Sequence, residues 1–448
     1  MLKNFFDKYM QGNKRTVLLK KNILGSFFIK GWTCLVQLIL VPVTLDCLNQ
    51  YEYGIWLTIS SLLIWIDSFD IGLGNGLRNL LAESIAKNDL KKGQQQVSTA
   101  FFMLVCIILP TIPIFTSIVH KINCYKLFNV DPQLTHNLEY ILIASYTIVA
   151  ITFIFKFIGN IYMALQLPAI TNLLIGIGHT ISLFLIYTIS RLGNATLFHV
   201  AVIYTISPLI VYLFSYPITF TKYKYLTPSI RLFDYKELKP LFGLGIKFFL
   251  AQISGMVIFA SSNILISRLF SPKEVTPYQI AYRYFGMVNI IFTLISAPLW
   301  SATTNAYTQG DTAWISNAVK KMRKIIFLLS FLLIIMIITS QFVYSFWVGD
   351  TIEIPLELSI SMACYMFVII YGTCYSNIIC GMGKIQLITI ITIIEALCYI
   401  PMALFLGKYL GVYGIVAALI FVNSISAITN HLQYRYIISE RAYGLWNK

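Results

Sequence analysis

From residue 325 to residue 347 the chain reads IIFLLSFLLIIMIITSQFVYSFW, without a single charge. Apolar runs of this kind recur about twelve times, each long enough to cross a hydrocarbon core that takes about 20 helical residues. They lie at roughly 23–46, 53–71, 97–119, 138–162, 168–189, 195–218, 241–267, 278–301, 325–347, 357–380, 385–406 and 411–433. Backbone N–H and C=O groups find no water in lipid, so the runs must be helices. They lack the alternation of outer-membrane strands, which excludes a β-barrel. The 448 residues are 58% apolar and 11% charged, against about 25% charged in a soluble domain, and the runs leave no room for a soluble domain.

The basic stretch MLKNFFDKYMQGNKRTVLLKKN before the first run carries no small-residue cleavage site after it, so that run is expected to be a retained helix and not a secretory signal. The net charge of +15 is distributed in a telling way. With the N-terminus placed in the cytoplasm, 23 of the 33 Lys and Arg fall in cytoplasmic segments, 6 fall outside and 4 lie within spans. That asymmetry is the positive-inside pattern. It places both termini in the cytoplasm and reads the basic charge as topogenic, not as a nucleic-acid surface.

Eight cysteines show no metal-binding or redox spacing, and no cofactor motif is present. Six of them (Cys34, Cys106, Cys364, Cys374, Cys380 and Cys398) fall in spans as small apolar residues. Cys47 and Cys124, in outward loops, are expected to be unpaired.

Two segment pairs about 220 residues apart resemble each other. NILGSFFIKGWTCLVQLIL from Asn22 matches GLGIKFFLAQISGMVIFAS from Gly243, and GNIYMALQLPAITNLL from Gly159 matches SNIICGMGKIQLITII from Ser376. The expected organisation is an N-terminal six-helix lobe at 1–218, a cytoplasmic linker at 219–240 and a C-terminal six-helix lobe at 241–448. Six is even, so the halves share an orientation, as in parallel-repeat transporters.

The stretch DIGLGNGLRN, from Asp70 to Asn79, places Gly72, Gly74 and Gly76 beside an arginine. A dinucleotide-binding loop would need a preceding strand and an acidic residue about 20 positions on, whereas here a membrane helix precedes. The glycines read instead as a turn at the cytoplasmic end of the second span. Leu77, Leu80, Leu81 and Ile85 then line one face of an amphipathic helix, with Arg78, Lys87, Lys91 and Lys92 available to headgroups.

The segment YGIWLTISSLLIWIDSFDIGLGNGLRNLLAESIAKND, followed by VSTAF from Val97, resembles the second span and following loop of bacterial O-antigen flippases, the polysaccharide translocases of the multidrug and oligosaccharidyl-lipid exporter superfamily. In length, helix count and two-half layout the resemblance extends over the whole chain. It implies an all-α membrane fold of about twelve helices in two lobes, the MATE-like exporter fold, and no cofactor. It also implies a function: transfer of undecaprenyl-pyrophosphate-linked O-antigen or capsular repeat units from the cytoplasmic to the periplasmic leaflet of the cell inner membrane. A polysaccharide polymerase and a chain-length regulator are the protein partners it suggests.

Ionisable residues inside spans are costly and mark functional candidates: here Lys30, Asp67, Asp70, Lys156, Lys247, Arg283 and Glu395. Lys30 and Asp67 lie at matching depths and are able to pair. Asp70 is one turn beyond Asp67, near the membrane edge, where a local structural role fits best. Lys156 lies near a span end and is able to snorkel. Lys247 and Arg283 sit more than a turn inside spans with no acidic neighbour in the same span. A translocated pyrophosphate would need such cations, which makes Lys247, Arg283 and Lys30 the candidate substrate-binding groups, Arg283 with a fork suited to phosphate. Asp67, Asp70 and Glu395 are the candidates for ion coupling or ion pairing. Glu395 is the deepest carboxyl and is able to exchange a proton during alternating access; the bland alternative is a protonated side chain bonded to another helix. His179 and His199 have no ligand spacing. Nothing in the sequence sorts the 28 tyrosines into belt and cavity.

Two other functions remain open. A membrane polysaccharide polymerase or ligase would need a larger outward loop than 120–137 and a catalytic motif. A cation-coupled drug antiporter of the same fold typically carries an acidic residue in the first span, where this chain has Lys30.

Overall fold

The computed structural model describes residues 14–63, 66, 73–193, 195–241, 257–258 and 261–447, with side chains described from Gly25 onward except at 75, 86, 297–298, 301 and 305. Every regular element among them is a helix. In chain order these are α1 (Lys14–Leu45), α2 (Gln50–Leu63), α3 (Leu73–Ala86), α4 (Leu90–Lys121), α5 (Cys124–Phe128), α6 (Leu138–Lys156), α7 (Ile158–Ala164), α8 (Pro168–Leu192) and α9 (Leu197–Lys222). After a helical stretch at 261–269 follow α10 (Pro272–Thr308), α11 (Thr312–Val348), α12 (Leu356–Gly381), α13 (Gln386–Leu410) and α14 (Val412–Ile438).

Nine stretches among the described residues are long and apolar enough to cross a membrane. The eighth expected span lies within α10, while the second and seventh fall partly outside the described residues. The side chains show which solvent these helices suit. Along α11, Phe327, Ile338 and Phe346 are 79%, 77% and 86% exposed, with Phe331 and Phe342 on the same stripe, while Leu329, Leu333, Met336 and Tyr344 are buried. A helix that buries apolar groups on one side and exposes phenylalanines on the other is stable in hydrocarbon and not in water.

The chain divides into two compact units. One comprises 1–49, 62–127 and 131–249; the other comprises 50–61, 128–130 and 250–448. Within the first, α1 packs on α8, α8 on α9, α9 on α6 and α6 on α4; within the second, α13 packs on α14, α14 on α12 and α12 on α11. The shared part of these two orders, α8–α9–α6–α4 and α13–α14–α12–α11, is the internal repeat in packing form.

The junctions repeat in finer detail. At the end of α7, Leu165 N–H bonds Ile161 O, Gln166 N–H bonds Met163 O and Leu167 N–H bonds Tyr162 O, with Gln166 at φ 60°. At the end of α12 the same three bonds join Met382 to Ile378, Gly383 to Cys380 and Lys384 to Ile379, with Gly383 at φ 75°. Every residue in the second set is numbered 217 higher than its counterpart. The closure is a left-handed helix stop. A second motif recurs at an offset of 222. Asn88 (φ 58°) and Gly310 (φ 73°) end one helix, and Asp89 and Asp311 cap the next by accepting from Lys92 N–H at 3.1 Å and from Trp314 N–H at 2.8 Å.

The helix after the glycine stretch differs from expectation. Leu73, Leu77 and Leu81, all 0% exposed, form its inner face. They are covered by protein, since α3 packs on α4 and α7, and not by headgroups. Gly76 explains the difference: a Cβ there would lie 2.1 Å from the Leu241 carbonyl oxygen, so the glycine lets α3 lie directly against backbone. Arg78 and Lys87 remain exposed. Cys47 and Cys124 carry free thiols.

Candidate transport site

Lys30 lies on α1 and is exposed. Its helix is fixed to α8 by a polar seam: Trp32 Nε1 donates to Thr180 Oγ1 at 3.0 Å, Gln37 Nε2 lies 3.1 Å from His179 Nε2, and Thr33 and Ile29 line the gap at Gly176. His179 is thus a structural hydrogen-bonding residue. Thr44 Oγ1 meets Tyr204 of α9 at 2.9 Å. The seam orients Lys30, whose position next to Ile29 turns it about 100° away from α8. Asp67, Asp70 and Lys247 lie outside the described residues, and with Asp67 goes the expected Lys30 pairing.

Arg283, half-buried on α10, lies near enough to the buried Tyr53 of α2 for its charge to act on that phenol. These helices approach closely because residue 54 is glycine; a Cβ there would sit 1.8 Å from the Pro272 carbonyl oxygen. Around the contact Thr276 Oγ1 donates to Gln50 O at 2.7 Å. Asn263 donates from Nδ2 to Leu57 O at 3.2 Å and accepts at Oδ1 from Gln279 Nε2 at 2.7 Å.

One face of α10 contributes Tyr278 and Tyr282, one turn apart, with Tyr282 against Tyr365 of α12 (ring centroids 6.5 Å). Tyr399 of α13 shares a 2.6 Å hydrogen bond with Ser262, and Tyr278 bonds the same serine. Glu395 lies one turn before Tyr399 and is close enough to Tyr365 for charge to act between them. Only 3% exposed, it accepts at Oε1 from Ser426 N–H of α14 at 2.8 Å. That N–H ordinarily belongs to the carbonyl four residues back in its own helix. Ser426 Oγ also bonds Glu395 and accepts from Asn430 Nδ2 at 3.4 Å, while Asn430 Oδ1 is buried without a partner among the described residues.

The structure therefore brings Arg283, Glu395 and a buried group of phenols into one unit and leaves Lys30 in the other. Tyr278, Tyr365, Tyr399 and Ser262 were not separable by sequence from the other tyrosines and serines of the spans. Their partners lie up to 137 residues away, and no local pattern marks them.

A helical membrane protein built as two repeated units, with charged and phenolic groups inside its spans, has the build of a transporter. The sequence matches the family described as "Polysaccharide biosynthesis protein" over residues 19–302, more than half of the chain, and the chain belongs to that family. The family described as MatE matches 248–405. Curated relatives include "Putative O-antigen transporter" of Salmonella typhi, 20% identical over 92% of this chain and 94% of its own length. Another is "Putative O-antigen export protein" of Yersinia pseudotuberculosis, 22% identical over 78% of this chain and 80% of its own. Among solved structures, the inward-facing conformation of a multidrug resistance MATE family transporter superposes with a TM-score of 0.76 at 16% identity, over 91% of this chain and 95% of that one. An outward-facing conformation gives 0.63 at 17% identity, over 97% and 98%. The fold is that of the MATE transporters.

Proposed function

We propose that this chain is an oligosaccharide flippase that carries undecaprenyl-pyrophosphate-linked O-antigen or capsular repeat units from the cytoplasmic to the periplasmic leaflet of the inner membrane by alternating access. The near-full-length similarity to a protein named for O-antigen transport carries this reading. The lipid tail stays in the bilayer and the head group crosses, so the path must offer positive charge to a diphosphate that is prohibitively costly in low dielectric unpaired. Arg283, Lys247 and Lys30 are assigned that role, and Asp67, Asp70 and Glu395 that of ion coupling or of neutralising it. The segment 219–240 joins the two halves, and a polymerase and a chain-length regulator are the protein partners.

Deletion of the gene is expected to abolish surface polysaccharide, with lipid-linked repeat units accumulating on the cytoplasmic face; the wild-type gene restores it. The Lys247→Ala, Arg283→Ala double variant should fail to restore it at normal protein level, and Arg283→Lys should restore it in part, because the fork is lost while the charge stays. Unchanged polysaccharide in the deletion strain, with altered drug susceptibility, would instead establish the drug-antiporter reading that the fold also accommodates.

A further inference from the structure

The first turns of α11 carry Lys320, Lys321, Arg323 and Lys324 directly before the apolar run that starts at Ile325, and all four are exposed. The fold holds Arg323 in place. Its Nε donates to the Tyr375 hydroxyl of α12 at 2.9 Å, with the guanidinium carbon 5.9 Å from the ring centre. Tyr375 is 0% exposed. Its ring stacks on His431 of α14 (4.7 Å between centroids, 16° between planes) and meets Tyr371 at 5.2 Å and Tyr434 at 5.5 Å. His431 Nδ1 in turn bonds the Tyr371 hydroxyl. Three rings from two helices therefore fix the phenol that fixes the arginine.

An arginine needed merely for topology requires no such tether, since the positive-inside effect acts on charge alone, and holding so flexible a side chain costs conformational entropy. The tether uses one of five N–H donors and leaves the Nη fork. Among the described residues, the groups that act on the charge of Arg323 are Tyr375, Tyr371 and Tyr434, none of them a carboxylate. The ion pairs among the described residues, Glu83 with Lys87 and His120 with Glu139, lie elsewhere. One turn after His431 on α14, Arg435 adds a second exposed cation. Four residues after Arg323, on the same helix face, begins the exposed stripe of Phe327, Phe331, Ile338, Phe342 and Phe346.

A fixed cation fork, with no carboxylate paired to it among the described residues, at the head of a lipid-facing apolar stripe suits the shape of a lipid: phosphate at one end, chain along the other. We propose that Arg323, positioned by Tyr375, binds the phosphate group of a membrane lipid whose chain lies along this stripe. The phosphate has two sources, an anionic phospholipid or the diphosphate of an isoprenyl-linked cargo, and the second rests on the flippase reading.

The test is native mass spectrometry of the purified full-length protein titrated separately with phosphatidylglycerol, phosphatidylcholine and undecaprenyl pyrophosphate. Arg323→Gln is expected to weaken binding of a phosphate lipid about ten-fold, as for loss of a charge-assisted hydrogen-bonded contact. Arg323→Lys should fall in between, and Tyr375→Phe, which keeps the ring packing and removes the tether, should cost about three-fold. If Arg323→Gln does not fold, the other two variants carry the test. A defect with phosphatidylglycerol identifies a phospholipid site and stands whether or not the chain is a flippase. A defect confined to undecaprenyl pyrophosphate identifies the cargo. Wild-type affinity of all three variants for both phosphatidylglycerol and undecaprenyl pyrophosphate overturns the proposal.

Discussion

Glu395 takes a hydrogen bond from the Ser426 backbone N–H, 2.8 Å away and on a different helix, so its side chain has both a packing role and an acid–base capacity. Two substitutions separate them. Glu395→Gln keeps an acceptor for Ser426 and removes the titratable proton; it should leave the amount of membrane-inserted protein unchanged and abolish transport if the proton is exchanged in the cycle. Glu395→Leu leaves the buried donor without this acceptor, at about 1–3 kcal/mol, and should lower the thermal midpoint of the purified protein as well. Full transport by the Gln variant would assign Glu395 to packing alone. Glu395 and Arg283 were legible in the sequence because an ionisable group in an apolar run is conspicuous by its cost. The phenols around them were not. A tyrosine in a span looks the same whether it faces lipid, as an interfacial belt residue does, or is buried like Tyr278 and Tyr399, and the difference is made by partners such as Ser262 from another helix.

At the level of elements, apolar length alone fixed where the helices run, and glycines fixed how near they come. Hydropathy has no means of showing the latter. Gly54 and Gly31 both lie inside helices, and a Cβ at Gly31 would meet nothing within 4 Å, while one at Gly54 would strike the Pro272 carbonyl oxygen at 1.8 Å. Replacing a helical glycine by alanine relieves about 0.5–1 kcal/mol of backbone entropy where there is room. Gly31→Ala should therefore keep or slightly raise the thermal midpoint of the purified protein. Gly54→Ala should lower it and reduce the inserted amount, because backbone has to move. Equal behaviour of the two variants would mean that α2 and the start of α10 are not in backbone contact. The same blindness explains α3. Its apolar face was visible as Leu77 and Leu81, but a face made for protein and a face made for headgroups have one pattern, and the close approach at Gly76 decides between them.

For the whole molecule, the order of contacts along paired helices gives the sense of each crossing. On α1 and α8 the contacts run from Gly25 with Ala169 through Thr33 with Gly176 to Gln37 with His179, rising together, so these helices are parallel. On α10 and α12 they run from Tyr282 with Tyr365 through Ser296 with Asn377 to Thr303 with Gly381, again parallel. On α13 and α14 they run from Glu395 with Ser426 to Gly407 with Ile415, so one number rises as the other falls and the helices are antiparallel. This is the parity of a chain that crosses at every expected span, first with fifth, eighth with tenth, eleventh against twelfth. Parity leaves open which side is which, and there the expectation rests on the basic residues: 23 on one side against 6 on the other, a bias read by the insertion machinery on short loops. A reporter fused at Ser229 is therefore expected to read cytoplasmic and one fused at Asp131 periplasmic. Readings on a common side would contradict the crossing count, since an odd number of spans separates the two sites. The exchanged pair of readings would keep the count and overturn the charge assignment.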